Sequence, residues 1–132
     1  MPLYYLDTSA LVKVVKEELG SAAFHDLWTS GAEFASSILT KTELLRAVRV
    51  GGDAARHQAR AALQAVDLLP LDNSVAEAAA SLAPAILRSL DAVHVASALA
   101  LLPDLTAVVT YDTRMADAAR LAALQVFTPG TT

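Results

Sequence analysis

The sequence has no cysteine, and that absence excludes disulfide scaffolds, thiolate zinc sites and cysteine nucleophiles together. Glycine and proline number only five each, and no linker, internal repeat or low-complexity tract interrupts the chain. A membrane-spanning helix needs roughly 18 consecutive apolar residues. The longest internal stretch without a charge, Ala92 to Pro103, is 12 residues and includes His94 and Ser97. The start of the chain also lacks the pattern of a secretory signal, since no basic residue precedes Asp7 while Lys13 and Lys16 follow it. The expectation is a cytoplasmic protein with no membrane segment.

What fills the chain instead is small and aliphatic. Of 132 residues, 55% are hydrophobic and only 5% aromatic, with 28 alanines and 21 leucines. That length fits a single domain over residues 1–132, able to bury roughly 70% of its unfolded surface without a metal or cross-link. The 14 acidic and 10 basic residues leave a net charge of −4. Taken alone, that argues against a general basic surface for nucleic acid.

Short β-like runs alternate with helical stretches. Leu3–Leu6 reads as a buried strand ending at Asp7, Glu33–Ser37 as a weaker strand and Asp67–Leu71 as a third. Thr106–Thr110 is the clearest strand, and Gln125–Thr128 is the last. The spacing predicts helices over Thr8–Leu19, closed by Gly20, and Ser21–Ser30, stopped by Gly31. Others run from Leu39 or Thr40 to Val50, from Asp53 to Val66, and from Val75 to Ala83 behind the caps Asp72, Asn73 and Ser74. Leu90–Leu102, capped by Ser89, and Thr113–Ala123 complete the set. Apolar strands alternating with helices imply an α/β fold with a parallel sheet covered on both faces. Ligands in such folds sit beyond the carboxyl ends of the strands.

Two acidic residues lie there. Asp7 follows the first strand directly, and Asp112 follows the fourth with only Tyr111 after Thr110 between. Either alone reads as a helix N-cap. Each is followed by hydroxyl residues (Thr8-Ser9 and Thr113) that can orient a carboxylate. Asp91 sits in the first turn of an otherwise apolar helix, a favourable place in the helix dipole. Glu43 lies one turn into its helix after Thr40 and Thr42, where it also fits a capping box. Together, four carboxylates at one end of a sheet would repel unless a cation compensates. Oxygen-only donors favour Mg²⁺, with Mn²⁺ as a substitute, and such ions suit phosphodiester hydrolysis.

Four segments resemble the PIN-domain ribonucleases, in particular the VapC toxins of bacterial toxin–antitoxin pairs. They are Tyr5-Leu6-Asp7-Thr8-Ser9-Ala10-Leu11-Val12-Lys13, Thr42-Glu43-Leu44-Leu45-Arg46-Ala47, Leu90-Asp91-Ala92-Val93-His94-Val95-Ala96 and Val109-Thr110-Tyr111-Asp112-Thr113-Arg114-Met115. They occur in family order over nearly the whole chain. The resemblance implies a three-layer α/β/α sandwich with about five parallel strands, the first and fourth adjacent. It also implies a Mg²⁺-dependent endoribonuclease, a VapB-type antitoxin partner and a homodimer. Asp7, Glu43, Asp91 and Asp112 would be the catalytic, metal-holding quartet: Asp7 and Asp91 ligate the first ion, Asp112 ligates directly or through water, and Glu43 completes the site or serves a second ion. Ser9 and Thr110 would orient carboxylates or water. One departure is the short segment Pro84–Leu90 before Asp91, which bears on local loop shape.

Lys13, Arg46, Arg49 and Arg114 are candidates for phosphate contacts along an RNA path, against ordinary solvated faces and ion pairs. His94, one turn after Asp91, reads as a hydrogen-bonding or packing residue, and His25 and His57 as surface residues. Trp28 with Phe24 and Leu27 reads as core or a partner-binding face, and a groove by the first helices as a seat for an apolar antitoxin segment. A haloacid-dehalogenase-type phosphatase needs a second Asp where Ser9 stands, and a response-regulator receiver needs a late Lys, yet none follows Lys41. An inactive PIN-like binding module is the remaining alternative, opposed by the intact quartet. Four of the 14 acids in a metal site would leave 10 to balance 10 basic residues, so the overall sign says little about the substrate.

Overall fold

A computed structural model describes residues 1–131. The chain runs β1 (Leu3–Leu6), α1 (Thr8–Val15), α2 (Ser21–Trp28), β2 (Glu33–Ser37), α3 (Ile38–Val48) and α4 (Gly52–Gln64). It continues through β3 (Asp67–Leu69), α5 (Asn73–Ala80), α6 (Ser89–Leu99), β4 (Ala107–Val109), α7 (Thr113–Leu121) and β5 (Val126–Phe127). The five strands form one parallel sheet in the order β3-β2-β1-β4-β5, with Leu6 opposite Val109 in the β1–β4 pair. Strand order reverses at β1, so the β1–β4 boundary is where a ligand crevice is expected.

Alternation along β1 assigns its residues to two cores. Leu6 joins Leu11, Phe24, Phe34, Leu44 and Val109 under α1 to α4. Tyr5 joins Val95, Val108, Met115 and Leu124 under α6 and α7. The result is the α/β/α sandwich implied by the sequence, with alanines such as Ala59, Ala62, Ala98 and Ala119 buried on its helices. β2 looks weak in sequence because Ala35, Ser36 and Ser37 are small, yet all three are buried, and α6 packs against this strand. Trp28 stacks on Phe24 and Phe34, which makes it part of the core. None of the described helices is long and apolar enough to cross a membrane.

Two caps differ from expectation. The first helix stops at Val15 rather than Leu19, because Glu17 and Glu18 would lie at the negative end of its dipole. The chain turns there instead, with the Ser21 hydroxyl accepting from the Glu18 N–H at 2.8 Å. Gly20, with φ +89°, therefore opens α2 instead of closing α1. Likewise Ser89 is the first helical residue of α6, and Arg88 occupies the cap position without a side-chain capping bond.

Candidate active site

The carboxyl ends of β1 and β4 bring Asp7 and Thr110 face to face. Thr110 Oγ1 donates to Asp7 Oδ2 at 2.5 Å, while the Ser9 hydroxyl and the Ala10 N–H donate to Oδ1 at 2.6 and 3.2 Å. Asp7 is thus both the N-cap of α1 and a side chain locked against the neighbouring strand. Burial pushes its carboxyl above the ordinary range, opposed by the donors Ser9 and Thr110 and by the field of His94. Ser9 and Thr110 tie the two strand ends further. Ser9 Oγ accepts from the Tyr111 N–H at 2.9 Å, and Thr110 Oγ1 accepts from the Asp112 N–H at 3.1 Å.

Asp112 caps α7, its Oδ1 accepting from the Arg114 N–H at 2.9 Å, and it is exposed. Asp91 stands partly buried in the first turn of α6. Burial and then the negative charge of Asp112 raise its carboxyl, while His94, Arg88 and Arg114 oppose the rise. Asp91 and Asp112 therefore lie within electrostatic reach of each other. Glu43 comes from α3, and its Oε1 accepts from Thr8 Oγ1 at 2.7 Å and meets His94 Nε2 at 2.9 Å. Burial raises the Glu43 carboxyl, but these two donors and the electrostatic influence of His94 outweigh it and hold the group below its usual value.

Among the described residues, no three His, Asp or Glu side chains converge as a ready metal cage. The donor chemistry nonetheless suits a hard cation: all four acids offer oxygen, and burial, with the like charge of Asp112 second, disfavours the ionised form of Asp91. Mg²⁺ is the ion that manages with one or two carboxylates, since it retains several of its waters.

The basic candidates separate. Arg46, Arg49 and Arg114 are exposed, and none of the three guanidinium groups forms a side-chain ion pair among the described residues. Lys13 differs from expectation: its ammonium sits 4.1 Å from the Tyr111 ring centre and donates to Leu19 O at 2.7 Å and Glu18 Oε1 at 3.2 Å. With its side chain only 6% exposed, it holds the α1–α2 corner together and is not free to meet a phosphate. Arg88, not singled out in the sequence, acts on Asp91 from one helical turn earlier, and that spacing was its only signal. Arg88, Asp91 and Arg114 line one groove of about 290 Å³ with Ile86 and Leu121. His25 and His57 are on the surface, whereas His94 is buried.

The family model described as PIN domain matches residues 4–121. The chain belongs to the PIN-domain family. Ribonuclease VapC46 of Mycobacterium tuberculosis is 40% identical over 129 residues, which cover 98% of this chain and 99% of that relative. Ribonuclease VapC47 of the same species is 38% identical over 133 residues, covering 97% of this PIN domain and 98% of the relative. Among solved structures, the VapBC2 complex of Rickettsia felis bound to a promoter DNA fragment superposes with a TM-score of 0.67 at 15% identity, over 96% of this chain and 98% of that one. A toxin–antitoxin complex from Klebsiella pneumoniae gives 0.63 at 19% identity, over 86% and 88%. At these identities the two structures speak to the fold, whose first and fourth strands here lie side by side.

Proposed function

We propose that this PIN domain is a metal-dependent endoribonuclease and the toxin of a VapBC-type pair, with Asp7, Glu43, Asp91 and Asp112 as its acidic site. One observation carries the reading: Asp7 and Asp112 leave adjacent parallel strands at the same end and are joined through Thr110, with Asp91 close enough to feel Asp112. Relatives of nearly equal length that are named ribonucleases supply the substrate class. Mg²⁺ or Mn²⁺, held by Asp7, Asp91 and Asp112 with Glu43 completing the site, would supply an activated water and offset charge on the phosphate. The chain's own residues do the rest. Ser9 and Thr110 orient Asp7, Thr8 and His94 orient Glu43, and Asp91 is the acid that a cation would relieve. Arg46, Arg49 and Arg114 are the phosphate contacts, since their guanidinium groups reach solvent. A VapB-type antitoxin and a homodimer complete the proposal.

The test is cleavage of a panel of structured RNAs by the purified protein in Mg²⁺, beside EDTA-treated protein and an Asp7→Asn variant. Cleavage in Mg²⁺ alone is expected, and cleavage that survives both EDTA and the substitution sinks the proposal. Equal inertness of all samples would favour a binding module over an enzyme.

A further inference from the structure

A file of side chains runs from the core to the acidic site. Tyr5 is fully buried, and its hydroxyl lies 2.7 Å from His94 Nδ1. His94 is 4% exposed, and its Nε2 lies 2.9 Å from Glu43 Oε1. Thr8 Oγ1 donates to that same oxygen at 2.7 Å. An ionised carboxylate can only accept, so Nε2 of His94 carries the hydrogen and donates it to Glu43. With the ring neutral, its lone pair is at Nδ1, and the Tyr5 hydroxyl 2.7 Å away is the donor to it. Every hydrogen-bonding position of the ring is filled, and the tautomer is fixed by partners on two other elements.

The consequence lies at Glu43. Two donors hold Oε1, while Oε2 accepts no hydrogen bond among the described residues. A glutamate on a partly exposed helix face would otherwise sample several rotamers. His94 stands one turn after Asp91 on α6, so the helix that carries one acid also fixes another acid belonging to α3. We infer that His94, held in one tautomer by Tyr5, is a positioning residue that clamps Oε1 of Glu43 and presents Oε2 to the acidic site. The purpose assigned to Oε2 rests on the nuclease reading, whereas the Tyr5–His94–Glu43 chain does not.

The test uses the full chain in two assays: RNA cleavage in Mg²⁺, and ¹⁵N NMR of labelled histidine rings without metal or RNA. Tyr5→Phe removes a single hydroxyl and is expected to lower kcat about three- to tenfold with KM unchanged. His94→Ala is expected to lose about 10–100-fold in kcat. His94→Gln, whose amide N–H can reach the same oxygen, should recover most of that loss, and this guards against a merely unfolded alanine variant. In the spectrum, wild-type His94 should be the Nε2–H tautomer, and Tyr5→Phe should mix the two tautomers. An Nδ1–H ring in the wild type overturns the inference. So do wild-type kcat values in Tyr5→Phe and His94→Ala when Glu43→Ala is inactive. If Asp7→Asn and Glu43→Ala both cleave as well as wild type, the nuclease reading fails instead. That result is told apart from failure of the clamp by the tautomer.

Discussion

Replacing Asp7 with asparagine should make the metal-free protein more stable at neutral pH while abolishing cleavage. Asp7 is 5% exposed and accepts hydrogen bonds from Ser9, Ala10 and Thr110. Asparagine can keep all of them. Its carbonyl replaces Oδ1, its amide donates to Thr110 Oγ1, and the Thr110 hydrogen turns to Ser9 Oγ, 3.3 Å away. A bond to a charged acceptor exceeds a neutral one by about 1 kcal/mol, so three such bonds forfeit about 3 kcal/mol. Against this stands the removed cost of burying an anion, which is several kcal/mol even after relaxation. Burial raises the Asp7 carboxyl in spite of its donors, so the second quantity is the larger. The net gain is on the order of 1–2 kcal/mol, or about 3–8 °C in Tm for a domain of this size. Because the folded carboxyl is raised, the unfolded chain ionises first. Stability contributed by the proton is complete below about pH 3.9 and is lost as pH rises through the folded value. Thermal melts in EDTA from pH 4 to 8 should therefore show the advantage of the variant opening as pH rises. Adding Mn²⁺ should then raise the Tm of the wild type alone, since only that form keeps the proposed ligand. A variant that melts below wild type at pH 7 in EDTA, or by the same offset at every pH, would refute the claim that burial strains this carboxylate.

Other perturbations test separate features. Glu43 has the opposite sign, with its folded carboxyl held low by His94 and Thr8; its stabilisation is present above about pH 4.3 and is lost as pH falls through the lower folded value. Glu43→Gln should accordingly lower Tm at pH 7 and leave it nearly unchanged at pH 3, as melts at the two pH values would reveal. Gly20→Ala forces a side chain into φ +89° and sets its Cβ 3.0 Å from the Tyr111 ring, a cost of about 1–3 kcal/mol readable by urea denaturation. Arg114→Gln should weaken RNA binding and reduce the slope of log K against log salt by about 1. An unchanged slope would remove Arg114 from the RNA path.

The parts of the candidate site that are legible in sequence are those set by short-range rules. Asp7 and Asp112 are readable because a strand followed by a capped helix puts its acid at the sheet end, and the β1–β4 pairing then joins them. The link from Glu43 through His94 to Tyr5 is not readable, since its partners lie 51 and 89 positions apart on three separate elements, α3, α6 and β1, that meet only in the folded chain. His94 could be read as a hydrogen-bonding residue, but not to which groups. The misplacement of Gly20 and of Lys13 is a single error. A first helix continued to Leu19 would carry its carbonyl away along the axis, whereas the turn after Val15 folds Glu18 and the Leu19 carbonyl back onto Nζ. Arg88 is not legible in the sequence because its influence on Asp91 depends on the shape of the loop from Pro84, which local propensity does not fix.

Capping and the proposed metal binding are compatible uses of these carboxylates, because each has two oxygens. Asp112 gives Oδ1 to the Arg114 N–H, and Glu43 gives Oε1 to Thr8 and His94. In both, the second oxygen accepts no donor among the described residues, so one oxygen fixes the rotamer and the other is left without a protein partner. Asp7 is held at both oxygens, but Oδ2 has only the Thr110 hydroxyl and keeps a lone pair in reserve. Asp91 is the opposite extreme: its carboxylate accepts no hydrogen bond among the described residues and is raised by burial and by Asp112. The four acids thus grade from wholly prefixed to unsatisfied, and the unsatisfied one gains most from a cation. A net charge of −4 averages over this difference. The chemistry follows from the oxygens that the fold leaves open.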